Sequence, residues 1–366
     1  MKAIFAVLSL LCFSSLLAAA DVSCEPDSSI SVKREVVTYD GPFQTIAEDP
    51  RATPGDPNHT VELKGLLFYP DGPVKDAPVI IYNHGHEQQR AIPLALRDYF
   101  VKRGFVFFAP LRRGHFYDEV IASTGIHGDL YIDKCLRTQT QAQNSNLPHL
   151  FCSSPFCRPE VSCSSQFKSN AVDVYYLRTQ WVDVEAQVNF ILNHPAINAT
   201  GKLADPRRVA ILGHSYGGSA IVFANEHEMG QNVAIDVCGG EKSWGGNNPF
   251  WKSDLSDAMK DQQRPIYMLQ PKNARTLEPS KTLFGIATVQ KYRSEASIFP
   301  EAPWDPVCAD KDASCWDSEK KRVKPEWEQA HSTFIGQDSE VGKWGCSAIE
   351  FVNRHRLPVP DGTELN

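Results

Sequence analysis

One stretch, Gly213-His214-Ser215-Tyr216-Gly217-Gly218, restricts this chain more than any other. It follows Arg208-Val209-Ala210-Ile211-Leu212, a short β-branched apolar run of the kind buried on both faces of a sheet. It precedes Ser219-Ala220-Ile221-Val222-Phe223-Ala224, whose alanines and spaced apolar residues suit a buried helix. A serine on so sharp a strand-to-helix turn is pressed into a strained backbone, and its neighbours two positions away must lack bulk. Gly213 and Gly217 meet that need. The turn lifts the Ser215 hydroxyl above the sheet and sets the Tyr216 amide at a helix N-terminus, where a developing oxyanion would be stabilised. A Gly-rich turn with an incidental serine is the competing reading, and the strand and helix on either side argue against it.

The flanking sequence repeats the same alternation of strand and helix. Val61 to Tyr69 reads as a strand closed by Pro70-Asp71-Gly72-Pro73, and Pro78-Val79-Ile80-Ile81-Tyr82 as a buried one. A helix carrying Leu94, Leu96 and Phe100 ends at Gly104, and Phe105 to Pro110 is the next buried strand. Strand, helix, strand at this spacing implies parallel pairing. Val174, Leu177, Trp181, Val184, Val188 and Ile191 form the core stripe of a long helix ending near Asn193-His194-Pro195. After the serine turn come strands at Val233–Val237, Pro265–Gln270 and Ser297–Phe299, a polar loop from Pro300 to about Pro325, and a terminal helix from Lys343 to Arg354. Between about 117 and 170 this rhythm breaks in a polar segment that holds Cys135, Cys152, Cys157 and Cys163, which reads as a disulfide-stapled insertion. Residues 21–58, polar and rich in Pro and Gly, read as an irregular arm, and residues 59–366 as one domain.

Lys2, an apolar run from Ala3 to Leu17 and Ala18-Ala19-Ala20 make residues 1–20 a secretory signal peptide with an A-x-A cleavage site. The run is short for a bilayer span and no second one follows, so no stable membrane insertion is expected after cleavage. Secretion makes disulfides the expected state of most of the ten cysteines. With Cys12 in the leader an odd number remains, and Cys238, in a buried stretch, is the candidate thiol. No Cys-x-x-Cys spacing supports zinc. Asn58-His59-Thr60 and Asn198-Ala199-Thr200 are glycosylation sequons. A net charge of −7 without a basic run argues against a nucleic-acid partner.

A serine hydroxyl needs a base, and His331 in Gln329-Ala330-His331-Ser332-Thr333-Phe334 fits, in a loop before the final helix. With Asn83-His84-Gly85-His86, Arg112-Arg113-Gly114-His115, the serine turn and His331 in this order, the chain resembles the α/β-hydrolases, specifically their dienelactone hydrolase-like and prolyl oligopeptidase-like branch. The resemblance runs from about Val61 to Arg354 outside the cysteine-bearing insertions. It implies an α/β fold with a mostly parallel central sheet flanked by helices. It also implies Ser215 as nucleophile, His331 as general base, and the amides of Tyr216 and His86 as oxyanion hole. Dienelactone hydrolase itself uses a cysteine at the nucleophile position, so Ser215 shifts the expectation toward esterase or peptidase relatives.

The acid departs from the pattern. Relatives usually show Asn-Asp followed by Pro-Ser after the strand that here ends at Leu269; this chain reads Lys272-Asn273-Ala274-Arg275, placing Ala274 at the aspartate position. The candidates to orient His331 are Glu241, a carboxylate after the preceding strand, then Asn273, then Glu278. His84 and His214 are expected to support loops; His86 and His115 are candidates to contact substrate, a solvated or packed histidine being the commoner alternative. The expected function is a secreted serine hydrolase, carboxylesterase-like, that cleaves a small ester through an acyl-enzyme. The alternatives are a peptidase or amidase of the same fold, or a degenerate hydrolase that binds without turnover. No dinucleotide fingerprint, phosphate loop or metal set is present in the sequence, so no cofactor is implied.

Overall fold

A computed structural model describes residues 21–42, 60–72, 75–85, 92–111, 181–194, 204–240, 244, 249–272, 274, 276–288, 294–299, 316–317, 322–323 and 329–357. The strands are β1 (Ser31–Pro42), β2 (Thr60–Asp71), β3 (Ala77–Asn83), β4 (Val106–Pro110), β5 (Ala204–His214), β6 (Val233–Val237), β7 (Ile266–Pro271) and β8 (Glu295–Phe299). A two-residue pair, β9 (Trp316–Asp317) and β10 (Arg322–Val323), stands apart from them. The helices are α1 (Leu94–Val101), α2 (Trp181–Asn193), α3 (Tyr216–Ala224), α4 (Pro249–Lys260), α5 (Glu278–Ala287), α6 (Gln329–Gly336) and α7 (Asp338–Arg354).

Among the described residues the main sheet has eight strands in the order β1-β2-β4-β3-β5-β6-β7-β8. β1, β2 and β4 pair antiparallel, and every pairing from β4 through β8 is parallel. The parallel centre explains the continuous apolar runs. Every residue of β3, β4, β6 and β7 is buried, because helices cover both faces. On one face Val184 and Val188 of α2, Ala220 to Ala224 of α3, Leu255 and Met259 of α4, and Leu283 of α5 pack against Val79, Ile81, Ile211 and Met268. On the other, Leu96 and Phe100 of α1, Phe334 of α6, and Trp344, Ile349 and Phe351 of α7 pack against Ile80, Leu212, Ile235 and Leu269. Burying each such aliphatic or aromatic side chain contributes about 1.5–3 kcal/mol. The centre of the sheet therefore carries the stability, and its C-terminal edge is free to carry loops.

The arm expected to be irregular contains a strand. β1 pairs with β2 over its full length, from Ser31↔Asp71 to Pro42↔Thr60. Alternate residues go to opposite faces: Val37 and Tyr39 to one, Val32 and Val36 to the other. Lys33-Arg34-Glu35 and Asp40-Gly41-Pro42 mask that alternation in the sequence, yet charge and proline are ordinary at an edge strand. Upstream of β1, a disulfide joins Cys24 to Cys346 of α7 across 322 residues of sequence. Cys238, the expected thiol, is one, buried just after β6. The four crowded cysteines, Cys308, Cys315 and both sequons' asparagines lie outside the described residues. Among the described residues no helix is long and apolar enough to cross a membrane.

At the start of β5, Asp205 accepts hydrogen bonds from Arg207 and from the buried Arg208 Nε at 2.8 Å. Burial opposes the charge of Asp205, but the Arg207 hydrogen bonds and the Arg208 charge outweigh it and hold the carboxyl below its ordinary 3.8. A depressed folded-state pKa stabilises the fold above the unfolded value, and that stability disappears as pH falls through the folded value. Asp205→Asn is expected to cost about 3–5 kcal/mol at neutral pH by leaving Arg208 buried without its counter-charge. Its urea-unfolding free energy should also fall less steeply than that of the unmodified chain below pH ~4. Removing the disulfide with Cys24→Ser and Cys346→Ser is expected to lower stability by about 2–5 kcal/mol, read from the same unfolding curves.

Candidate active site

Ser215 sits at the join of β5 and α3 with φ 58° and ψ −116°, a left-handed conformation that a non-glycine residue adopts at a cost of about 1–3 kcal/mol. The surroundings impose it. Its amide donates to Val237 O of β6 at 2.9 Å, and its carbonyl accepts from Ser219 N at 3.2 Å, so both sides of the residue are pinned. The two flanking glycines are required by backbone contact. A Cβ on Gly213 would lie 2.1 Å from Gly217 O, and a Cβ on Gly217 would lie 2.0 Å from Asn83 O of β3. Helix α3 thus rests directly on the ends of β3 and β5, and the only way for the chain to turn from strand to helix there is through the serine.

Three segments converge on this turn. Gly85, just past β3, comes from one side: a Cβ on it would stand 3.6 Å from Ser215 Cβ. The buried His84 donates from Nδ1 to Gly85 O at 2.9 Å and fixes that peptide. Tyr216 opens α3, with its amide in the first turn of the helix. His331 comes from the far end of the chain. It lies in the first turn of α6 rather than in the expected loop, and its carbonyl oxygen is 2.8 Å from His214 Nε2. The His214 and His331 ring centroids are 4.5 Å apart, and His331 Nδ1 is shielded from solvent. The helical start was hidden because Ser332 and Thr333, residues that favour caps and turns, follow His331 directly.

The acid candidates separate. Glu241, Asn273 and the amide-bearing His86 lie outside the described residues, as does His115. Glu278 is solvent-exposed in the first turn of α5, a helix that packs on the opposite face of the sheet from α6. Ala274 occupies a tight turn after β7, with its amide donating to Pro271 O at 3.0 Å.

One residue of this region escaped the sequence reading. Asp236 of β6 is buried beneath α3, and its Oδ1 occupies the space that a Cβ on either Gly218 or Gly239 would need, 2.2 Å away in both cases. Its carboxylate therefore packs between the elbow helix and the turn after β6. The signal was the charged residue inside the apolar run Val233-Ala234-Ile235-Asp236-Val237, opposite two glycine pairs.

A mostly parallel sheet in this strand order, flanked by helices, with a strained serine between β5 and α3 defines the α/β-hydrolase fold. No protein-family model and no curated protein matches the chain. Among solved structures it is similar to the acylaminoacyl peptidase of Pyrococcus horikoshii, at 14% identity and a TM-score of 0.48, over 91% of this chain and 43% of that one. It is also similar to a ferulic acid esterase from Streptomyces cinnamoneus, at 14% identity and a TM-score of 0.46, over 92% and 94% of the two chains. A putative dienelactone hydrolase from Klebsiella pneumoniae aligns at 14% identity and a TM-score of 0.39, over 83% of this chain and 99% of that one. The chain spans less than half the length of the acylaminoacyl peptidase.

The contact between Gly217 and Asn83 is backbone on backbone, so no side chain can yield. Gly217→Ala is expected to destabilise the fold by at least about 2 kcal/mol in thermal unfolding. Gly342→Ala, on the exposed face of α7 with nothing within 4 Å of a new Cβ, should instead gain up to about 1 kcal/mol.

Proposed function

We propose that the protein is a secreted serine hydrolase that cleaves a small carboxylic ester through an acyl-enzyme, with Ser215 as nucleophile and His331 as base. The observation that supports it best is the strained Ser215 at the elbow with the His331 carbonyl bonded to the adjoining His214. A serine kept at positive φ costs the fold stability, and orienting a hydroxyl toward a reacting carbon is a reason to bear that cost.

In this reading Ser215 Oγ attacks the ester carbonyl carbon as His331 accepts the hydroxyl proton. The carbonyl oxygen becomes an oxyanion that accepts hydrogen bonds from the amides of Tyr216 and His86. A trans peptide points its N–H away from its carbonyl, so anchoring Gly85 O on His84 is a means of aiming the next amide. The tetrahedral carbon then expels the alcohol, which takes the proton from His331 and leaves the acyl group on Ser215. Water, deprotonated by His331, attacks the acyl carbon, and the acid departs as Ser215 recovers its proton. His331 becomes an imidazolium twice in the cycle. Because its Nδ1 is shielded, a protein group has to meet that charge. Glu241, after β6, is the proposed carboxylate, with Asn273 as the neutral alternative.

The leader at residues 1–20, the sequons and the Cys24–Cys346 disulfide support a secretory route. Ala274 favours one other reading, a binding protein that has lost turnover. A fluorophosphonate probe separates the two: labelling of Ser215 in the folded protein, absent in Ser215→Ala, is expected for the hydrolase, and an unlabelled wild type supports the binding protein. In p-nitrophenyl ester hydrolysis, Glu241→Gln is expected to lower kcat by up to about 10⁴-fold and Asn273→Ala much less. The reverse order would transfer the acid's role to Asn273. Turnover of aminoacyl anilides in preference to esters would make the enzyme a peptidase.

A further inference from the structure

We propose that His214, the residue before the nucleophile, is a positioning residue that holds His331 in register with Ser215. The proposal rests on the reading of His331 as base and extends it to a residue whose role the motif alone leaves open. His214 closes β5, is 1% exposed, and is covalently joined to Ser215. Its Nε2 lies 2.8 Å from the His331 carbonyl oxygen, 117 residues away in sequence. An oxygen accepts only from a nitrogen that carries a proton, so His214 holds its hydrogen on Nε2. The opposite edge of the ring meets the oxyanion loop, where a Cβ on Gly85 would lie 3.6 Å from His214 Nδ1. The two imidazoles face each other at 4.5 Å and 40°.

One side chain therefore binds the base-bearing helix and lies beside the loop after β3, while its own backbone carries the nucleophile. The anchor side of this clamp is rigid. β5 is paired on both edges, with Asn83↔Gly213 on one side and His214↔Val237 on the other. The clamped side is a helix of eight residues, too short to hold its own position without tertiary contacts. A single neutral hydrogen bond adds only about 1 kcal/mol to stability. Its effect on rate is larger, because displacing a catalytic group by about 1 Å costs on the order of 10²-fold. The tie acts through the backbone of His331 and leaves both of its ring nitrogens for catalysis.

Two substitutions divide donation from space-filling. His214→Phe keeps the ring volume and removes the N–H; His214→Gln gives up the ring and keeps an N–H at similar reach. With p-nitrophenyl esters, His214→Phe is expected to lower kcat by about 10–100-fold with KM changed less than about twofold. His214→Gln is expected to recover most of that loss. Wild-type kcat in a folded His214→Phe, or a folded His214→Gln at least as impaired as His214→Phe, would show the residue to be filler and overturn the proposal. A second readout needs neither turnover nor a variant. Long-range ¹H–¹⁵N spectra of the wild type should show His214 protonated on Nε2, and an Nδ1–H tautomer overturns the clamp even if the variants do not fold. A wild type that shows His214 protonated on Nε2 yet fails to react with the fluorophosphonate would leave the clamp standing and sink the hydrolase reading instead.

Discussion

The contact on which this structure depends is made by backbone atoms alone. Gly217 lies against the Asn83 carbonyl and Gly213 against the Gly217 carbonyl, each too close for any Cβ. That closeness forces the chain to reverse direction within one residue, and the residue is a serine with positive φ. Strain of this size persists only where the surroundings over-determine it. Here a sheet buried on both faces supplies the determination: β3, β5 and β6 are fixed by their pairing, and α3 is fixed on them by Ala220 to Ala224, all buried. Stability at the centre of the sheet and distortion at its edge are therefore one arrangement.

The remaining pieces of the site arrive by the same means, through backbone groups held by buried side chains. His84 binds the Gly85 carbonyl, and His214 binds the His331 carbonyl. The C-terminal helices are secured from behind. Trp344 donates to Phe334 O at 2.9 Å, which joins α7 to α6, and the disulfide from Cys24 ties α7 to the chain's N-terminal segment. A histidine contributed from near the end of the chain thereby rests on a frame rather than on a free tail.

What was legible in the sequence follows from this physics. Strands buried on both faces need unbroken apolar runs, so β3, β4, β6 and β7 could be read directly, and the glycine spacing of the elbow announced a close approach. β1 was not legible because an edge strand tolerates the charges and the Gly-Pro pair that usually mark a loop. Helix α4 escaped for a related reason. Among its residues with described side chains, Leu255, Ala258 and Met259 are core, and the polar residues between them leave no clear stripe in the sequence. The order Ser215 then His331 could be read from motifs. That His331 starts a helix could not, since its position is set by a contact with a residue 117 positions earlier. Asp236 stayed hidden because neither its place in an apolar run nor the glycine pairs nearby say which of them it lies against.

The resemblance to the α/β-hydrolases would put the acid in the turn after β7. The turn after β7 is well built: Lys272 donates to Phe299 O, Ala274 to Pro271 O, and Gln270 Nε2 to Thr276 O. It ends in an alanine all the same, with no group to meet an imidazolium. The adjacent turn, after β6, is at least as firmly held. Cys238 donates to Leu269 O, Trp244 donates to Gly240 O, and Asp236 fills the space beside Gly239. Cys238 takes a positive φ there, so this turn, like the elbow, carries strain that its surroundings sustain, and Gly240 turns with positive φ at no such cost. That turn is the ground on which Glu241, the next residue along, is proposed as the acid rather than the solvent-exposed Glu278.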